Sequence, residues 1–161
     1  MSYNTLILIH ISSMLLLLGV GGGSAFYKFM ADRSGDIDII LHTNKLVVLA
    51  DWLFTTPSAI LQPLTGIWLI QTLGLPYTTP WLLTSIVLYL FSGTLWLIAV
   101  WLQLRMKHLA QEAKEKQTVL PEDYHRLVRQ WIWLGIFSFM AMGSILVLMV
   151  VKPDMGILFS L

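Results

Sequence analysis

Residues 5–30 read TLILIHISSMLLLLGVGGGSAFYKFM, a stretch in which only Lys28 is charged. Because an α-helix rises about 1.5 Å per residue, this stretch is long enough to cross a hydrocarbon layer of about 30 Å. Three further apolar blocks of similar length follow, at residues 46–73, 81–104 and 131–151. Membrane strands need only about half this length. The pattern therefore predicts an all-α fold, an integral membrane bundle of four helices.

The composition agrees with one membrane domain that extends over residues 1–161. Hydrophobic residues make up 57% of the chain and charged residues 12%, about half the charged fraction of an ordinary soluble domain. The first block lacks the basic leader of a signal peptide, so we expect it to remain as a span. The absence of cysteine excludes disulfides and thiolate metal sites. The net charge of +1 gives no sign of a nucleic-acid partner, and we expect none.

The distribution of basic residues predicts the orientation of the bundle. Of the ten Lys and Arg residues, all but Lys152 flank the first and third connections between the blocks. By the positive-inside rule, these two connections lie in the cytoplasm, and both termini lie outside. The polar stretch at residues 105–130 is then a cytoplasmic helical loop. We expect it to extend the third and fourth helices and to break before Pro121.

Each block carries a row of polar or small residues at helical spacing. Because polar side chains avoid lipid, such a row indicates the face that looks into the bundle. The rows are His10, Ser13, Gly21, Ser24 and Lys28; Asp51, Thr55, Ser58 and Gln62; Ser85, Tyr89, Ser92 and Trp96; and Gly135, Ser138 and Ala141. Most of these residues are explained by tight helix packing. Pro57 and Pro63 interrupt the second row, and we expect hydroxyls of Thr55, Thr56 and Ser58 to bind the carbonyls that they free.

Three of the polar residues are harder to explain by packing, because a charge at membrane depth costs on the order of 2.5 kcal/mol or more. Counting along the helices places His10 and Gln62 in the outer half, with Ser85 and Lys152 within reach. Asp51 falls in the inner half, with Lys28, Lys45 and His42.

Each of these residues has a structural and a functional interpretation. Asp51 is either ion-paired with Lys28 or with an arginine at the start of the fourth helix, or it serves a function. His10 is either a neutral histidine bound to a serine or an axial ligand of b-type haem. His42, just before the second span, is more simply a solvated residue than a ligand.

Several short motifs, taken in order, resemble a group of small bacterial four-helix membrane proteins. They are Ile7-Leu8-Ile9-His10-Ile11, Thr56-Pro57, Gln62-Pro63-Leu64-Thr65-Gly66, Pro80-Trp81-Leu82 and Val150-Val151-Lys152-Pro153. The group includes an uncharacterised family of predicted integral membrane proteins, the copper-resistance D-type proteins and the haem-containing membrane protoporphyrinogen oxidase. The resemblance implies a multi-pass protein of the bacterial inner membrane.

The resemblance also implies haem b as the cofactor, with His10 as the candidate ligand of the haem iron. Lys152 would then neutralise a propionate, and Gln62 and Ser85 would lie close to the cofactor. His10 and His42 lie near opposite membrane faces, so one chain cannot hold one haem with both. A haem at His10 would be five-coordinate, would take a methionine such as Met14 or Met149, or would be shared across an oligomer. The oxidase carries a lysine early in its third helix. The corresponding position in this chain falls near Ser85, and no lysine is present there.

Three functions follow as hypotheses. The first is a haem b-binding or related redox membrane protein, distantly like the oxidase and thus an oxidoreductase. The second is a non-catalytic accessory or scaffold subunit, with the lipid bilayer and a homo-oligomer or a larger membrane complex as its partners. The third is a transporter of a small solute or of protons along Asp51, Gln62 and His10.

Overall fold

The computed structural model describes residues 2–153, and these residues form helices and no strand. The elements are α1 (Tyr3–Ser34), α2 (Ile37–Ala50), a π-helical turn (Asp51–Thr55), α3 (Thr56–Leu73), α4 (Pro80–Glu115) and α5 (Glu122–Val151). Because α2, the π-turn and α3 follow one another without a break, they form one long rod, and residues 2–153 form four rods. The all-α class is confirmed.

Three of the rods, α1, α4 and α5, are long and apolar enough to cross a membrane. The second rod is divided at the π-turn into two shorter helices. It begins at Ile37, nine residues before the apolar block 46–73 that the sequence indicated. The added turns are amphipathic, and they bury Ile40, Leu41 and Asn44 on one face while Asp38, His42 and Lys45 are exposed on the other. The orientation of the termini relative to the cytoplasm stays a prediction.

Local signals in the sequence explain the sharp connection between α1 and α2. Gly35 ends α1 with a φ of +69°, a left-handed conformation that glycine adopts without a steric penalty. The Asp36 carboxylate then accepts hydrogen bonds from the backbone N–H groups of Asp38 and Ile39 and caps α2. The two rods therefore turn back on each other within two residues.

The four rods pack as two hairpins. One hairpin is α1 with the α2–α3 rod, and the other is α4 with α5. They meet mainly through α2 and α4, at the end where α1, α2, α4 and α5 carry most of the charged residues, which we call the charged end. The main core lies there and consists of Ile40, Leu41, Ala99, Leu102, Met106, Ala110, Tyr124, Leu127 and Trp131. Away from this core α1 and α5 have few backbone contacts and meet through a smaller apolar cluster of Met14, Met142 and Ile145, so the hairpins are joined less closely there.

Pro57 explains the π-turn. A proline ring clashes with the carbonyl four residues before it, which here belongs to Leu53 within the turn. The turn widens by one residue, and the backbone N–H of Thr56 donates to the carbonyl of Asp51, five residues earlier. Asp51 and Thr55 therefore sit on a local distortion of the second rod.

Pro63 frees a second carbonyl, that of Ala59. The hydroxyl of Tyr89, which lies on α4, donates to this carbonyl at 2.6 Å. We expected hydroxyls of the second rod to bind the freed carbonyls, but Thr55 Oγ1 has no hydrogen-bond partner. The partner comes from the neighbouring hairpin because a tyrosine can reach across a helix interface.

Candidate functional site

Lys28 is fully buried at the charged end. Its ammonium group donates hydrogen bonds to Asp32 Oδ2 at 3.0 Å, to Asn44 Oδ1 at 2.8 Å and to Tyr124 Oη at 3.2 Å. The Tyr124 hydroxyl donates in turn to Asp32 Oδ1 at 2.6 Å. Lys28 Nζ also lies 5.6 Å from the centre of the Trp131 ring. These five residues, the Lys28 cluster, join α1, α2 and α5.

The charges and hydrogen-bond donors of the Lys28 cluster are matched within the cluster. Tyr124 precedes the apolar block 131–151, and burial together with the Asp32 carboxylate raises the pKa of its phenol. The phenol therefore stays protonated and can donate to Asp32. Lys28 has a carboxylate, an amide oxygen and a phenol oxygen as acceptors, which use all three of its donors.

The predicted ion pair of Asp51 does not form. Lys28 pairs with Asp32, and Arg126, at the start of α5, pairs with Asp123. Across residues 2–153 no basic side chain lies within ion-pair distance of Asp51. The structural interpretation of Asp51 as half of a salt bridge is therefore wrong. His42 and Lys45 are exposed on α2 and do not enclose it.

His10 is half-buried, and both of its ring nitrogens are hydrogen-bonded. Nδ1 lies 2.8 Å from Thr65 Oγ1, and Nε2 lies 3.1 Å from the amide nitrogen of Gln62. Ser13 Oγ donates to the amide oxygen of the same Gln62. The Thr65 hydroxyl donates to the carbonyl of Leu61 at 2.6 Å. These residues, the His10 cluster, join α1 to α3.

The hydrogen bonds of this cluster imply one tautomer of the imidazole. An amide nitrogen can only donate, so His10 Nε2 accepts from Gln62 and Nδ1–H donates to Thr65. Each side chain in the chain of bonds then has a matched donor or acceptor, and none needs a charge. The His10 cluster is thus a neutral cross-link between two helices.

The surroundings of His10 do not fit an axial haem ligand. Iron needs an unprotonated ring nitrogen with open space in front of it. The unprotonated nitrogen here is held by Gln62, and the ring lies beside Gly66, where an added Cβ would be in van der Waals contact with Cε1 at 3.4 Å. Met14 packs in an apolar cluster with Met142 and presents no separate ligand site.

Ser85 and Lys152 do not join the His10 cluster. Ser85 Oγ donates to the carbonyl of Trp81, in its own helix, at 2.8 Å. Lys152 Nζ lies 5.9 Å from the centre of the Trp81 ring. The structure therefore brings His10 and Gln62 together, as the depth argument predicted, but forms no hydrogen bond from them to the other two residues.

A cavity of about 610 Å³ lies between the two hairpins, within the apolar part of the bundle. The π-turn and helices α1, α3, α4 and α5 line it, and most of the lining side chains are apolar. Exposed side chains of Phe29 on α1 and of Phe139 and Met140 on α5 stand at its rim. The cavity therefore opens between α1 and α5, where the two hairpins are joined less closely.

Four buried polar atoms lack a hydrogen-bond partner, and all four belong to residues that line this cavity. They are Asp51 Oδ2, Thr55 Oγ1, Trp96 Nε1 and Gln103 Oε1. No other buried side-chain polar atom of residues 2–153 is left unpaired. Asp51 and Thr55 lie about one turn apart, and Trp96 and Gln103 two turns apart on α4, so each pair shares a face. We call these four residues the polar group of the cavity.

Glycines widen the cavity on three sides. Gly21 on α1, Gly93 on α4 and Gly135 on α5 all line it, and a Cβ added at any of them would meet no heavy atom within 4 Å. Gly22 is different, because an added Cβ would touch the Phe139 ring at 3.4 Å. The small residues of the predicted inward rows therefore enclose space as well as permit helix packing.

The rows predicted Asp51, Thr55 and Trp96 as inward-facing, but they missed Gln103. It lies within the third apolar block, two residues before the loop predicted at residues 105–130, and the row on that block ended at Trp96. The signal was present, since Gln103 follows Trp96 by seven residues, or two helical turns.

Comparison with known families matches residues 4–153 to the family described as predicted integral membrane protein (DUF2269). No curated protein and no solved structure matches the chain. None of these comparisons relates the chain to the copper-resistance D-type proteins or to protoporphyrinogen oxidase, so that part of the resemblance still rests on the short motifs alone.

Proposed function

The chain belongs to the family of predicted integral membrane proteins (DUF2269), and on that premise we propose that it binds a small, mainly apolar molecule in the cavity between its hairpins. The molecule enters from the bilayer between α1 and α5. Its polar end lies at the polar group of the cavity, and its apolar part lies along the glycines. The bacterial inner membrane is the proposed location, with both termini outside the cytoplasm.

The observation that carries this proposal is the collection of unpaired polar atoms at one cavity. Leaving a buried donor or acceptor unpaired costs about 1–3 kcal/mol, and more than 90% of such groups in proteins are paired. Four unpaired atoms around one cavity therefore destabilise the fold, and hydrogen bonds to a bound molecule would offset this destabilisation. A volume of about 610 Å³ with apolar walls and a few convergent polar atoms is typical of small-molecule sites.

The transport hypothesis is less well supported. Gln62 lies eleven residues from Asp51, about 16 Å along the rod, and its amide is bound to His10 and Ser13. The three residues of the proposed pathway therefore belong to two separate groups.

Haem binding is a second proposal, and the motifs around His10 are what supports it. The His10 cluster would have to open so that a ring nitrogen of His10 could bind the iron. Absorption spectra of the purified protein, oxidised and dithionite-reduced, test it, and a Soret band lost in His10→Ala would establish it.

A quencher of tryptophan fluorescence tests the cavity itself. A bromoalkyl alcohol is titrated into lipid nanodiscs that contain the full chain, and tryptophan quenching is recorded. We expect saturable quenching in the wild type, with Trp96→Phe losing part of the saturable amplitude. Gly21→Leu and Gly93→Leu place a side chain in open space within the cavity, so each should weaken binding about tenfold, or by about 1.4 kcal/mol.

The matched control is Gly19→Leu, on the exposed face of α1, where an added Cβ also meets nothing within 4 Å. It should bind as the wild type does. If the wild type and both filled variants are quenched equally and without saturation, the probe only partitions into lipid and the proposal is refuted. The protein would then be better described as a scaffold subunit.

A further inference from the structure

The unpaired atoms at the cavity are mostly acceptors. Asp51 and Gln103 present an oxygen each, and the Thr55 hydroxyl can accept as well as donate, whereas Trp96 Nε1 can only donate. A molecule that brought only acceptors would leave the Gln103 oxygen unpaired. The molecule that suits this set brings two or three hydrogen-bond donors on one small group.

The charges around the cavity also favour a ligand that brings hydrogen-bond donors. Asp51 is the one acidic residue among the described residues that line the cavity, and no histidine, lysine or arginine of residues 2–153 lines it. The one buried basic residue of residues 2–153, Lys28, is held by Asp32 at 3.0 Å and by Asn44 at 2.8 Å. Thr55 and Gln103 give the Asp51 carboxyl polar neighbours, but no basic side chain of residues 2–153 lies within ion-pair distance of it. A positive charge on the ligand would therefore balance a carboxylate at this depth.

The shape of the cavity limits the rest of the ligand. Asp51, Thr55 and Gln103 are each more than nine-tenths buried, while the rim residues Phe29 and Met140 are 45% and 65% exposed. The polar group therefore lies deep, and the path to it from the bilayer is apolar. A compact inorganic cation would leave most of this apolar volume without contacts.

We propose that the ligand is an amphiphilic amine, whose ammonium group binds between Asp51 Oδ2, Thr55 Oγ1 and Gln103 Oε1 and whose apolar part fills the space toward α1 and α5. This inference rests on the proposed function and names the chemical class that the same cavity takes. An ammonium group has three donors for the three oxygens, and hydrogen bonds between charged partners are roughly twice as strong as neutral ones.

Competition against the bromoalkyl alcohol tests the inference. The competitors are octylamine, octan-1-ol and methyl octyl ether, which share one alkyl chain and differ in the polar group. We expect octylamine to displace the probe at a concentration at least about tenfold lower than octan-1-ol, with the ether, which has no donor, weakest. Asp51→Asn should remove this advantage, while the affinity for octan-1-ol changes less than about threefold.

The matched control is Glu112→Gln, which removes one negative charge from a partly exposed position at the charged end, away from the cavity. It should keep the advantage of octylamine. If Asp51→Asn does not fold, Gln103→Met removes a second acceptor and should lower the affinity for octylamine more than that for octan-1-ol.

The outcomes separate the two proposals. Equal displacement by all three competitors would refute the amine and leave the cavity as a binding site. Preference for the ether would refute it too, and would point to a ligand that only accepts. Displacement by none of them, with no saturable quenching by the probe, would refute the proposed function itself.

Discussion

Replacing Lys28 by methionine should be among the most damaging single changes in this chain. Methionine matches the length of the lysine stem, so the packing is kept while the charge and three hydrogen bonds are lost. Asp32 would keep only the hydrogen bond from Tyr124, and the Asn44 oxygen would lose its donor. Removing one partner of a buried ion pair costs about 3–5 kcal/mol, so we expect a loss of that size in the free energy of unfolding.

The double variant Lys28→Met, Asp32→Leu separates this cost from a simple loss of packing. With both charges gone, Asn44 and Tyr124 can keep their mutual hydrogen bond, which is 3.2 Å long. We expect the double variant to lose only about 1 kcal/mol, because apolar replacement of a whole buried pair is often nearly neutral. The two single changes should therefore be coupled by at least about 2 kcal/mol.

Unfolding by SDS in mixed micelles, followed by tryptophan fluorescence, measures these differences. Lys45→Met, at an exposed position of α2, is the control and should change stability by less than about 0.5 kcal/mol. A loss below about 1 kcal/mol for Lys28→Met, or strict additivity with Asp32→Leu, would show that the Lys28 cluster does not hold the charged end together.

Two further predictions concern the second rod. Gly66→Leu should destabilise the protein by about 1–3 kcal/mol, because the new side chain has to displace the half-buried His10 ring beside it. Gly19→Leu, in open space, should not. Equal thermal midpoints of the two variants in detergent would contradict this contact between Gly66 and His10. Tyr89→Phe should cost about 1 kcal/mol by leaving the carbonyl freed by Pro63 without a donor. In a Pro63→Ala background, whose restored backbone N–H can serve that carbonyl, the same change should cost almost nothing, and an undiminished cost in SDS unfolding would count against this role of the tyrosine.

Helical spacing predicted which residues face inward. Asp51, Thr55, Ser58 and Gln62 are all buried, as the row on the second block required. The all-α class and the extension of α4 and α5 beyond the apolar blocks also followed from hydropathy and from the position of Pro121.

The choice of partners did not follow from spacing. A row gives the direction in which a side chain points, but the vertical offset and rotation of neighbouring helices decide what it meets. Lys28 illustrates this, because its charged partner, Asp32, lies one turn away on the same helix, whereas the second rod gives it only the neutral Asn44. We therefore expected Asp51 to pair with Lys28, although Lys28 is already paired with Asp32.

The π-turn has a consequence for how the second rod tolerates changes in length. In a regular α-helix, deletion of one residue rotates everything beyond it by about 100° and turns the buried face toward lipid. At Asp51–Thr55 the backbone already holds one residue more than a regular turn. Losing one residue there, together with replacement of Pro57, would give a regular α-helix and leave both neighbouring segments in phase, so this is where the rod can shorten without turning its buried face toward lipid.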